Sequence, residues 1–107
     1  MAKVFYILKE ECDRQEKLKI LYEKEISGLP LGGIYPRKRG KHIYYYFGQY
    51  NPQTKNVSYK YLGNDPENIK ELEIQIQKRK KLEELLKNVK KEIKEIQKVL
   101  HGKLSTA

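Results

Sequence analysis

The chain predicts an α+β fold: a long antiparallel pair of helices carrying a small three-stranded antiparallel β-sheet at one end, in the order α-β-β-β-α. Three observations lead there. The 107 residues, 38% of them hydrophobic and 35% charged, suffice for one small domain, 1–107, and not for two separate cores. The charge is uneven: residues 1–32 carry six basic and six acidic side chains, and residues 65–107 carry eleven and eight. Between Ser27 and Asn64 there is no acidic residue, yet six of the basic residues and seven of the nine tyrosines fall there. Finally, the apolar period changes from helical to alternating in that middle segment and back again after it.

Helix 1 is assigned to residues 1–28. From Lys3 to Ile26 there is no Gly or Pro, and Phe5, Leu8, Cys12, Leu18, Tyr22 and Ile26 recur mostly three or four apart. Ser27-Gly28-Leu29-Pro30 stops the helix, with Gly28 suited to the left-handed position after the last turn and Pro30 unable to continue it.

The meander occupies 29–64. A first strand around Ile34 to Lys38 contains Pro36, which cannot donate to a ladder and so confines that strand to an edge. Arg39-Gly40 supplies a tight turn into a second strand, His42 to Tyr50, where Ile43, Tyr45 and Phe47 alternate with His42, Tyr44 and Tyr46. Asn51-Pro52-Gln53-Thr54-Lys55-Asn56 turns the chain into a third strand, Val57 to Leu62.

Helix 2 is assigned to 65–102, with 103–107 as a tail. Asp65 is a good N-cap, Pro66 suits the first helical position and Glu67 favours the positive end of the dipole. From Leu82 the apolar positions Leu82, Leu86, Val89, Ile93, Ile96 and Leu100 step by four and three, a coiled-coil seam. Ile69, Leu72 and Ile76 keep a similar stripe displaced by one residue, and Gly102 is expected to end the helix.

If the helices start side by side with Ile26 near Asn68, residues pair when their numbers sum to roughly ninety-four, given equal rise along each. Glu10, Glu11, Asp13 and Glu16 then face Lys78, Arg79, Lys80 and Lys81. In that register helix 2 overhangs helix 1 by about ten residues. Val89, Ile93, Ile96 and Leu100 are then expected to form a homodimer or higher oligomer interface, with Val99 also on the overhang.

The formal charge of +9 draws the chain toward polyanions. The leading expectation is a non-enzymatic nucleic-acid-binding protein, on DNA more than RNA. Arg37, Lys38, Arg39, Lys41, Lys55 and Lys60 contact phosphate, and Tyr44, Tyr46 and Tyr59 supply aromatic contact. Neutralising six phosphates would give a duplex a log–log salt slope of about −5. The alternative is a protein-interaction module or inhibitor that docks on a nucleoprotein complex, such as a CRISPR-type defence effector, with the charge steering the encounter.

Several classes of function are disfavoured. His42 and His101 stand apart from each other and from any acid at catalytic spacing, and both read as surface residues. Cys12 lies on an apolar stripe as a small core residue and cannot form an internal disulfide. Gly32-Gly33 lacks the strand, helix and lysine of a phosphate loop, and no metal spacing or cofactor motif occurs. No run approaches the eighteen or so apolar residues of a membrane span, so cytosol is the natural compartment.

The string from Leu29 to Asn64, LPLGGIYPRKRGKHIYYYFGQYNPQTKNVSYKYLGN, followed by a charged helix, resembles small uncharacterised bacterial proteins of the DUF6788 kind. Leu29, Pro30, Gly32, Tyr35, Gly40, Tyr44 to Tyr46, Lys60, Tyr61, Leu62 and Gly63 carry the resemblance. It implies a basic, Tyr-rich hairpin region before a coiled coil. Similar hairpins in some transposases and recombinases imply an accessory role on the DNA of a phage or other mobile element.

Overall fold

A computed structural model describes the backbone of residues 2–105, and the side chains of 3–102. The fold is α+β in the order α1 (Ala2–Ser27), β1 (Gly32–Arg39), β2 (His42–Asn51), β3 (Asn56–Gly63) and α2 (Pro66–Ser105). The chain forms two compact units. One joins residues 1–27 with 82–107, and the other is the continuous segment 28–81. Among the described residues no helix is long and apolar enough to cross a membrane.

In the first unit α1 packs against the portion of α2 that begins at Leu82. The buried cluster is Cys12, Val89, Ile93 and Ile96, with Leu8, Leu18, Tyr22 and Leu100 packed around it. This corrects the expected register. A sum of ninety-four would set Leu82 opposite Cys12, whereas Cys12 lies among residues about two turns or more further along α2. The expected charge pairing fails with it at Glu11. Its carboxylate accepts hydrogen bonds from Arg14 (2.8 Å) and Gln15 (2.9 Å) of its own helix, and the Arg14 bond is the main cause of its lowered pKa.

The expected oligomer seam is corrected for the same reason. Val89 and Ile93 are each 7% exposed and Ile96 8%, and all three are covered within one chain; Leu100 is half-buried beside them. Only Val99, 49% exposed, stands on the outer side of the helix. The residues assigned to a dimer contact are the core of the helical pair, so they supply no exposed stripe for a second copy.

The second unit explains the shift. An antiparallel sheet of three strands has one face to bury, and a three-stranded sheet gains independent stability by packing against a helix. Here the first turns of α2, Pro66 to Lys81, share a unit with the sheet. Phe47 on β2 and Ile76 on α2 are its buried apolar residues, with Ile34, Tyr45, Leu62, Ile69 and Leu72 half-buried. Arg79, at the stripe position between Ile76 and Leu82, donates a 2.7 Å hydrogen bond to the Leu29 carbonyl. That bond fixes the segment after α1 to α2 within the same unit.

Local signals set the element ends. Asp65 caps α2, its carboxylate accepting from the Glu67 amide at 3.1 Å, with Pro66 in the first helical position. Gly40 has a φ of 61° in a two-residue turn between the paired Arg39 and His42, the pattern of a type II′ hairpin. In the second hairpin the Asn51 side chain accepts from the Gln53 amide (3.0 Å), and Lys55 closes the loop with a φ of 58° and an amide bond to the Asn51 carbonyl (2.8 Å).

Two expected ends differ. Gly28 is not among the glycines with positive φ, and the last turn of α1 is closed by the Ser27 hydroxyl donating to the Lys24 carbonyl (2.7 Å). Gly102 does not stop α2, which continues to Ser105, because a single glycine lowers helix stability by only about 1 kcal/mol.

Two outcomes follow from this packing. Ile93→Ala should destabilise the protein by about 2 kcal/mol or more in denaturant titration, whereas Val99→Ala should change stability by less than about 0.5 kcal/mol. Equal effects would contradict the register. The buried Cys12 thiol has its pKa pushed up by burial, with Glu16 and Asp13 adding to it. Native protein should therefore react with an aromatic disulfide reagent at neutral pH at least about tenfold more slowly than the unfolded chain.

Candidate nucleic-acid interface

Strand register sorts the side chains onto two faces, because successive residues of a strand point to opposite sides and cross-strand partners share a side. β2 is central, in the order β1-β2-β3, and antiparallel to both neighbours. Phe47 is opposite Ile34 on β1 and Lys60 on β3, Tyr45 is opposite Pro36, and Ile43 is opposite Lys38. This is the face that goes with α2. Ile34, Pro36, Ile43 and Tyr45 line an open groove of about 720 Å3 with α2 residues that include Ile69 and Ile76.

The other face is aromatic. Tyr46 is opposite Tyr35 on one side and Tyr61 on the other, Tyr44 is opposite Arg37, Gly48 is opposite Tyr59, and His42 is opposite Arg39. A bulge between Tyr45 and Tyr46 places Leu62 as the extra residue of β3, since Tyr45 pairs with Gly63 and Tyr46 with Tyr61. Tyr35, Tyr59 and Tyr61 are each about half exposed, at 49%, 57% and 56%.

The rings form a connected layer. Tyr46 and Tyr61 have centroids 5.3 Å apart, Tyr44 and Tyr61 6.1 Å, and His42 and Tyr44 6.3 Å. Tyr35 meets Tyr59 edge-to-face at 6.0 Å, although the two belong to strands on either side of β2. Gly48 makes that contact possible: a Cβ there would come 2.7 Å from the Tyr35 ring and 3.2 Å from Tyr59. The guanidinium of Arg37 lies 5.9 Å from the Tyr46 centroid, a cation–π distance. Arg39 joins Tyr44, Tyr46 and Tyr61 around a shallow recess of about 450 Å3.

The structure therefore divides the nine residues expected at the interface. Arg37, Arg39, Tyr44, Tyr46 and Tyr59 share the aromatic face. Lys41 and Lys55 lie in the two hairpin turns. Lys38 and Lys60 belong to the opposite face by register, as partners of Ile43 and Phe47, and are not brought together with the others. Tyr35, Tyr61 and His42 belong to the aromatic face and were not assigned to it from sequence. For His42 the signal was present, since it alternates with Ile43 as Tyr44 and Tyr46 do. For Tyr61 the signal was present as well, since it alternates with Lys60 as Tyr59 does, and the bulge interrupts the register only after Tyr61.

Charge is concentrated in this unit. Residues 28–81 carry eleven basic and four acidic side chains, a net of +7, and none of the four acidic residues precedes Asp65. No strand residue is acidic. Among the described residues no group of three or more His, Cys, Asp or Glu could hold a metal ion. Comparison with family models, with curated proteins and with solved structures returns no match for this chain.

Gly48→Ala should separate the Tyr35 and Tyr59 rings, with loss of their inter-ring nuclear Overhauser contacts. It should also lower stability by about 0.5–1.5 kcal/mol, the worth of one aromatic pair. Retention of those contacts at unchanged stability would show that Gly48 does not hold the ring layer together.

Proposed function

We propose that this protein binds nucleic acid through the aromatic face of its sheet, without carrying out chemistry on it. The observation that supports this is the joint presence, on one acid-free face, of half-exposed tyrosines and two arginines, Arg37 and Arg39, set among the rings. Phosphates need cations, and sugars and bases offer flat, partly apolar surfaces that aromatic rings contact well. A planar guanidinium meets a phosphate with paired hydrogen bonds while its face rests on a ring, which lysine cannot do.

The cations available to one ligand on this face number four: Arg37 and Arg39 on it, and Lys41 and Lys55 at the hairpin turns. Lys38 and Lys60 point to the other side by register. The salt dependence then softens from the value of about −5 expected for six phosphates to a log–log slope of about −3.6 on a duplex, or about −2.8 on a single strand.

The test is fluorescence anisotropy with labelled oligonucleotides across a salt series. Arg37→Ala and Arg39→Ala should each weaken binding and flatten the slope by roughly 0.7–0.9. Lys38→Ala and Lys60→Ala should leave both nearly unchanged. No binding to any oligonucleotide at low salt, or an affinity indifferent to salt, would refute the proposal. Stoichiometric retention of one protein partner by nuclease-treated bait, with no oligonucleotide affinity, would favour a protein-docking module instead.

A further inference from the structure

We infer that the nucleic acid this face accepts is single-stranded, with unpaired bases lying on the rings of Tyr44, Tyr46, Tyr61 and Tyr59. This rests on the nucleic-acid reading above and specifies its ligand. The centre of the face is occupied by rings; Arg37 reaches over them, 5.9 Å from the Tyr46 centroid, and the other cations lie toward the margins. Tyr46 is in the middle strand, flanked by Tyr35 and Tyr61, while Arg39 is the last residue of edge strand β1 and Lys41 and Lys55 are in turns. A duplex presents phosphates outward and keeps its bases stacked inside, so against this face it would meet aromatic carbon where its charge needs cations.

A single strand reverses the fit. Its bases are free to turn onto tyrosine rings, and every base has a face to offer, so stacking needs no sequence match. Its backbone can follow the edge of the ring layer past Arg37 and Arg39, so that positive charge meets negative charge while the apolar centre is covered by bases. The ring geometry suits this arrangement. Tyr61 is tilted by 43° against Tyr44 at 6.1 Å and by 56° against Tyr46 at 5.3 Å, separations too small for a base to slide between these rings. The bases therefore lie over the layer. Arg39 borders the recess those three rings surround, where a phosphate linking two stacked nucleotides can reach a guanidinium. The opposite face offers no comparable platform, because it carries two aromatic residues, of which Phe47 is buried and Tyr45 lines the groove shared with α2.

The experiment compares four labelled 20-mers at one salt concentration with the full chain: a mixed-sequence single strand of DNA, its RNA counterpart, the matched DNA duplex, and a DNA backbone of abasic sites. The single strands should bind at least tenfold more tightly than the duplex and the abasic strand. Tyr61→Ala and Tyr44→Ala should each weaken single-strand binding by roughly 5- to 150-fold, the range for losing one stacked base. Tyr61→Phe should retain it, since the ring and not the hydroxyl is the platform. Circular dichroism confirms that each variant is folded. Equal or tighter duplex binding, or an abasic strand that binds as well as the base-bearing one, would overturn the single-strand assignment and leave general nucleic-acid binding standing. No binding to any of the four at low salt would overturn both.

Discussion

One apolar stripe on α2 has to serve two purposes, and the rest of the structure depends on how it is divided. From Ile69 through Leu72, Ile76, Arg79, Leu82, Leu86, Val89, Ile93 and Ile96 to Leu100, the helix carries buried or half-buried residues at steps of three and four. The turns up to Lys81 belong with the sheet, and those from Leu82 onward belong with α1. A sheet of three strands and a single helix both need a partner for one apolar side, and α2 serves both. The two consecutive steps of three on either side of Arg79 mark the division. There a polar side chain occupies the stripe and spends its guanidinium on the Leu29 carbonyl.

That division accounts for the chemistry of the sheet. Because α2 takes the face bearing Ile34, Tyr45 and Phe47, the other face is left to residues that tolerate water on one side and packing on the other. Tyrosine meets both demands, with an apolar ring and a hydroxyl that stays solvated. The ring layer is stabilised by contacts each worth about 0.5–1.5 kcal/mol, and Gly48 leaves the gap in the middle strand that lets Tyr35 and Tyr59 meet. The same arrangement that holds the layer in place also keeps its upper surface aromatic, basic and free of acidic residues.

The proposed function draws on this combination and on no single residue. Arginine beside tyrosine provides a charge and a flat surface together, as Arg37 does over Tyr46 and Arg39 beside the recess of Tyr44, Tyr46 and Tyr61. Lys38 and Lys60 contribute to the net charge of the unit but lie on the other side of the sheet by register. Their role in an electrostatic account is long-range attraction, which acts over about a Debye length and does not require contact.

The sequence by itself determined the element order, the edge position of the Pro36 strand, the hairpin turns and the Asp65-Pro66 helix start. Each of these rests on a local constraint: a ring with no amide hydrogen, a turn needing positive φ at Gly40, a carboxylate placed to cap free amides. It also placed Arg37, Arg39, Tyr44 and Tyr46 on one surface wherever strict alternation held. Tertiary structure decided the helix register, the burial of Val89, Ile93 and Ile96, and which face of the sheet goes with α2. The spacing of three and four is the same before and after Lys81, so either half of α2 matches α1 equally well from periodicity alone. Only the competing demand of the sheet for a covering helix selects between them. The bulge between Tyr45 and Tyr46 is likewise invisible in composition, because an extra residue in a strand is defined by its partner and not by its own side chain.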